Sequence, residues 1–140
     1  MNRSRLILAC IAGAVILSFT QYPFAVTMQT RTDYAAAMDR IYVSHMDARA
    51  KCTPLTGHGR DMCVVDARAT DKRARATAEV NYKGTITSKT DSRIADADAE
   101  LMIARVACGN KAGQEKDVCV MEAKATNVRL VGDAKAAYTK

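Results

Sequence analysis

Apolar and small residues recur every third or fourth position along most of this 140-residue chain. Tyr34, Met38, Ile41, His45, Ala48 and Cys52 step by 4, 3, 4, 3 and 4, the spacing of one helix face. Thr90, Ile94, Ala97, Leu101, Ala104 and Cys108 follow the same rhythm. Two further stripes run through Cys63, Ala67, Thr70, Ala74 and Ala78, and through Cys119, Ala123, Thr126, Leu130 and Ala134. The stripes predict helices near 33–52, 60–82, 91–110 and 115–138, and no sheet. Thr32 or Asp33 suits the N-cap of the first helix, and Thr90 or Asp91 that of the third. Gly57 and Gly113 suit the left-handed position that follows a helix. Pro54 is expected to end the first helix a turn early. Residues 83–90 are polar and carry no stripe, so they read as a linker.

The beginning of the chain follows a different pattern. Arg3 and Arg5 precede the 14-residue apolar run Leu6–Phe19. That is the length of a signal-peptide core and short for a membrane span. Cleavage is expected after Ala25, in Pro23-Phe24-Ala25, although Pro23 is not the small residue such sites prefer. The rival reading is an uncleaved anchor. Extended to Val26, the stretch reaches 21 residues and leaves Arg3 and Arg5 inside. Cys10 reads as an apolar residue of this segment. Residues 1–25 are therefore a signal peptide or membrane anchor. Either way the remainder lies periplasmic or secreted, or inner-membrane anchored with a periplasmic body.

The remainder is duplicated. Shifting the chain by 56 residues places Met46-Asp-Ala-Arg-Ala-Lys-Cys52 on Met102-Ile-Ala-Arg-Val-Ala-Cys108. Gly57, Asp61, Cys63, Arg73 and Tyr82 fall on Gly113, Asp117, Cys119, Arg129 and Tyr138. Over positions 46 to 82, 14 of 37 residues are identical without a gap. The expected fold class is all-α: two tandem disulfide-stapled helical hairpins, repeat 1 over 32–82 and repeat 2 over 91–140.

Composition explains why staples are needed. The chain has 25 Ala, yet from Val26 onward only 3 Leu, 4 Ile and no Phe. A thick core is ruled out, and Ala-lined seams bury little area per residue. Four cysteines remain beyond Cys10, in two C-x10-C pairs. Cys52 and Cys63 flank Gly57 at similar distances, as Cys108 and Cys119 flank Gly113. An antiparallel hairpin turning near each glycine brings them together on the inward stripes. Cys52–Cys63 and Cys108–Cys119 are thus the natural choice among three connectivities. Redox pairs favour C-x-x-C, and zinc sites favour C-x2-4-C or nearby His.

The doubled C-x10-C with Gly in its turn, followed by Lys116-Asp-Val-Cys-Val-Met-Glu-Ala-Lys124, resembles a family of small exported Ala/Lys-rich proteins of Gram-negative bacteria. The resemblance covers about Ala48 to Tyr138. It departs at Asp61-Met-Cys-Val-Val-Asp-Ala-Arg68 and at Pro54. It implies export and helical structure, and carries over no catalytic residues.

The remaining chemistry is sparse. His45 sits where repeat 2 has Leu101, and His58 is in the turn, too far along the hairpin to share an ion with it. Asp96, Asp98 and Glu100 lack the glycine and spacing of a calcium loop and read as a solvated acidic face. Arg68, Lys72 and Arg75 form a basic strip at i, i+4 and i+7, a candidate face for an anionic partner. No aromatics interleave for base stacking, so nucleic acid is disfavoured. An anionic envelope polymer or an envelope protein fits the compartment better. Tyr82 and Tyr138 read as packing caps. The net charge is +6 overall. Without Arg3 and Arg5, 19 Lys and Arg oppose 15 Asp and Glu, leaving +4. No cofactor, metal or catalytic residue is expected. The leading reading is an exported, non-catalytic helical protein, a structural or interaction module of the cell envelope. The alternatives are a disulfide-stapled protease inhibitor presenting Arg60 or Lys111, and a periplasmic redox or metal-binding protein.

Overall fold

A computed structural model of the chain describes residues 29–138. The run Leu6–Phe19, Cys10 and the Pro23-Phe24-Ala25 motif lie outside the described residues. Four helices account for nearly all of the rest: α1 Arg31–Lys51, α2 Gly57–Lys83, α3 Ile86–Ala107 and α4 Gly113–Ala136, with a 3-10 turn at Cys108–Asn110 before α4. Among the described residues there is no strand, and no helix is long and apolar enough to cross a membrane.

The helix starts differ from the sequence expectation for local reasons. Thr30, not Thr32, caps α1, and it forms a reciprocal capping box with Asp33. Thr85, not Thr90 or Asp91, caps α3 by accepting from the Ser88 N–H. Thr90 instead donates back to the Ile86 carbonyl inside the helix, at 3.0 Å. Residues 86–90, expected as linker, are therefore helical, and the connection between the hairpins shrinks to Gly84 and Thr85. Gly84 closes α2 in the left-handed conformation, φ 61°, with its N–H on the Val80 carbonyl. Ser88 is buried against α2 without penalty because its hydroxyl donates to the Thr85 carbonyl at 2.9 Å.

The hairpin turns also differ in detail. Gly57 and Gly113 do adopt positive φ, 55° and 52°, but each opens the following helix rather than closing the preceding one. The chain enters from extended Thr56 and Ala112 and swings into the helix through the left-handed residue. Pro54 does not shorten α1. Lys51 and Ala107 are equivalent positions under the 56-residue shift, and both helices end there. Only the second continues, as the 3-10 turn Cys108–Asn110, where the first has a plain turn at Cys52-Thr53-Pro54.

Each helix packs on its neighbour in sequence, α1 on α2, α2 on α3 and α3 on α4, in an open antiparallel array. The α2–α3 seam joining the two repeats is the most extensive. Alternation in direction places both hairpin turns at one end of the array and the Gly84-Thr85 turn at the other. The buried residues are almost all small: Val65, Ala67, Ala69, Ala78, Ala97, Ala99 and Ala134. The largest fully buried side chains are Cys52 and Cys108. Small side chains let the backbones approach closely, but the bulk at the hairpin ends is sulfur. The predicted inward stripes of α1 and α3 hold throughout, every member being buried or half-buried. On the return arms Thr70 and Thr126 are exposed, rotated away from the seam.

Both disulfides form as expected. Cys52–Cys63 and Cys108–Cys119 have Cα separations of 5.6 and 5.8 Å, inside the range for an unforced bridge.

Candidate functional site: a basic concavity at the disulfide end

The basic strip and the acidic run meet in the fold. Lys72 reaches Asp98 at 3.1 Å, and Arg73 reaches Asp96 at 3.7 Å, across the α2–α3 seam. Asp98 also accepts from Asn127 of α4 at 3.3 Å. Arg75 is held on its own helix by both carboxylate oxygens of Asp71 at 2.9 Å, which raises its pKa further. The expected acidic face is thus partly an inter-helix clasp. Of the strip Arg68, Lys72 and Arg75, two members already have carboxylate partners.

Arg68 is different. It lies on the exposed side of α2 and lines an open concavity of about 670 Å³ where the end of α1, the start of α2 and the end of α3 converge. Arg49 and Arg60 line the same space, with His58 and a single acidic residue, Asp61. Val64, Val65 and Val106 contribute apolar wall, and the His58 ring lies beside Gly109 of the 3-10 turn. All three arginines are exposed, and among the described residues none of them forms an ion pair. Two helix N-termini and two C-termini meet at this end, so helix dipoles largely cancel. The field there comes from side chains, three guanidinium groups against one carboxylate.

The sequence places Arg68 on a basic strip and Arg60 in a candidate inhibitor loop, but neither joins them nor points to Arg49. The signal was present in the repeat. Under the 56-residue shift Arg49, Arg60 and Arg68 fall on Arg105, Lys116 and Lys124, basic in every case. Identity counting passes over two of these three pairs because arginine and lysine differ in name while sharing charge.

The other singled-out residues serve the scaffold. The His45 ring Nδ1 lies 3.2 Å from the Ala67 carbonyl, tying α1 to α2. Tyr82 stacks on Tyr34 with centroids 4.7 Å apart, and Tyr34 donates to Glu79 at 2.6 Å. Lys83 pairs with Glu79 from the other side. Lys83 first, and Tyr34 second, hold the Glu79 carboxyl below its ordinary range. The Glu79 contact in turn raises the Tyr34 phenol. Repeat 2 replaces the ring stack by the Arg93 guanidinium 5.2 Å from the Tyr138 ring centroid. Both tyrosines therefore fasten the open ends of their hairpins, as expected of packing caps. Arg60 lies in the first turn of α2 rather than in an extended loop. Lys111 is extended, but its ammonium pairs with Glu115. Among the described residues no group of three or more His, Cys, Asp or Glu side chains is arranged to hold a metal ion.

No family model, curated protein or solved structure matches the chain.

Proposed function

We propose that the protein is an exported, non-catalytic interaction module of the cell envelope whose partner is an anionic macromolecule gripped at the Arg49–Arg60–Arg68 concavity. The observation that carries this reading is the cluster of three arginines with no ion-pair partner among the described residues, beside a strip whose other cations are already paired. A guanidinium keeps its charge and offers a planar fork of donors, so it suits phosphate and carboxylate groups of an envelope polymer. The concavity is wide and open rather than enclosing, which favours an extended polyanion over a small substrate. Export is supported by the two disulfides, which persist in oxidising compartments, and by the signal-like pattern of residues 1–25. It also agrees with the resemblance to small exported Ala/Lys-rich proteins.

The test is binding of the protein to lipopolysaccharide and to peptidoglycan fragments at two ionic strengths. Between about 0.01 M and 0.15 M salt the screening length falls from about 30 Å to about 8 Å. Affinity is expected to fall steeply over that interval. Arg49→Ala with Arg60→Ala should weaken binding at low salt, and Lys72→Ala should affect it less because Lys72 faces Asp98. Equal loss for Lys72→Ala, or binding indifferent to salt, refutes the assignment. A fusion of alkaline phosphatase after Lys140 should be active if the body is exported.

A further inference from the structure

Among the described residues most of the large exposed apolar side chains lie on the two edge helices, Tyr42, Val43 and Met46 on α1 and Val118, Met121 and Val128 on α4, and the internal repeat explains their placement. The α2 positions Met62, Val65, Ala69 and Lys72 face α3. Under the 56-residue shift they become Val118, Met121, Ala125 and Val128 of α4. Met121 and Val128 are 63% and 71% exposed. The α3 positions that face α2 transform likewise. Asp98, Ala99, Met102 and Val106 become Tyr42, Val43, Met46 and Ala50 of α1. Tyr42 and Val43 are 58% and 56% exposed. Each edge therefore presents the face that, one repeat away, is buried in the α2–α3 seam.

We infer that α4 of one copy docks on α1 of a second copy in the register of the α2–α3 seam. The occupant follows from continuity with an interface the molecule already contains. Stacked helical repeats ordinarily end in polar capping faces, because an apolar outer face invites further stacking. Here charged residues such as Asp47 and Lys124 flank each edge, but Tyr42, Val43 and Met46 of α1 and Met121 and Val128 of α4 leave an exposed apolar strip between them. The transferred register is also chemically coherent. Val128 meets Tyr42 where Lys72 meets Asp98 in the seam, so an ion pair becomes an apolar contact. Ala125 meets Val43 where Ala69 and Ala99 are both fully buried. Lys124 falls opposite Asp47. Arg129 falls opposite Arg40, where Arg73 meets Asp96 in the seam, and this like-charge contact is offset by Asp133, which holds Arg129 at 3.2 Å, and by Asp39 next to Arg40. Because the two surfaces differ, the contact is heterologous and does not close on itself as a two-fold dimer does, so copies add in a row.

The experiment uses the full chain in a Cys10→Ser background, isolated under mildly oxidising conditions, with the native disulfides verified by peptide mapping. A chain carrying both Val43→Cys and Ala125→Cys should give a ladder of dimers, trimers and higher species on a non-reducing gel. Each single variant alone should stay monomeric, and a mixture of the two should stop at dimers. Adding Met121→Glu, a change at an exposed position that leaves the monomer fold intact, should abolish the ladder. Dimers from Ala125→Cys alone or Val43→Cys alone would mean a two-fold contact and overturn the register. Absence of crosslinks from the double variant, or a ladder that survives Met121→Glu, would overturn the interface.

Discussion

Replacing Cys108 and Cys119 together by alanine removes the covalent tie on an edge helix. Among the described residues helix α4 packs chiefly on α3, with the 3-10 turn beneath it. The bridge closes a loop of sequence separation 11. In the chain-entropy treatment such a loop restricts the unfolded hairpin by about 2.8 kcal/mol. Cys108 is 1% exposed, so losing its sulfur also removes packing, which adds to the entropic cost. Alanine is preferable to serine because it leaves no buried hydroxyl unpaired. A change of about 2.8 kcal/mol corresponds to roughly a 100-fold rise in local opening. Amide hydrogen exchange followed by mass spectrometry reads this directly. Exchange in α4 should accelerate by about that factor. Amides of α2 and α3 around the Lys72–Asp98 and Arg73–Asp96 clasps should keep most of their protection. Acceleration below about 10-fold in α4 would show that the Ala seam alone holds the edge. Uniform acceleration across all four helices would show one cooperative unit and refute the account of α4 as a separately tethered edge.

Three further outcomes follow from particular contacts. Ala99→Leu forces a larger side chain into the fully buried α2–α3 seam and should cost about 1–3 kcal/mol by chemical denaturation, whereas Val43→Leu at the equivalent exposed position of α1 should be near neutral. Gly113→Ala meets no atom within 4 Å, so its cost is that of a non-glycine residue at φ 52°, about 1–2 kcal/mol in the same assay. The Glu79 carboxyl is held below its ordinary value by Lys83 and Tyr34, so its stabilisation is complete above the unfolded-state pKa of about 4.3 and is lost as pH falls through the folded value; Tyr34→Phe should lower stability at pH 7 by about 1 kcal/mol and flatten the acid limb of a stability-versus-pH curve.

The helices and staples were legible because short-range rules decide them. A stripe such as Tyr34 to Cys52 implies a helix whatever it packs against, and a C-x10-C pair around a glycine leaves a hairpin few other ways to close. Duplication made the reading stronger, since each feature could be checked one repeat away. The turns were less legible because they depend on competition between neighbouring caps. Thr30 wins over Thr32 because Asp33 stands three residues after it and completes the box. Thr85 wins over Thr90 because Ser88 supplies both a backbone N–H and a hydroxyl for it to engage. A polar stretch without a stripe reads as a linker, yet a single well-placed threonine extends the helix through it.

That one local decision governs how the charges are used. With a linker over 83–90 the hairpins are separate bodies, and the strip Arg68–Lys72–Arg75 and the run Asp96–Glu100 are independent solvated faces. With a two-residue turn at Gly84 and Thr85, α3 folds back along α2, and residues whose numbers sum to about 170 come opposite one another. Lys72 then meets Asp98, and Arg73 meets Asp96. Arg68 lies beyond the reach of those carboxylates and is left with Arg49 and Arg60 at the disulfide end. The same fold-back defines the α2–α3 seam whose register the two edges repeat. In the assembled row, α1 of the next copy would sit beside Arg105, Lys116 and Lys124, the repeat-2 counterparts of the arginine cluster. A basic concavity resting on Arg105 and Lys116, with Lys124 turned to Asp47, would then recur at each junction between copies as well as inside each one. An elongated polyanion spanning successive concavities would bind by avidity, so the binding and assembly arguments meet in one expectation. Met121→Glu, which leaves Arg49, Arg60 and Arg68 untouched, should weaken binding of long polymers far more than binding of short fragments.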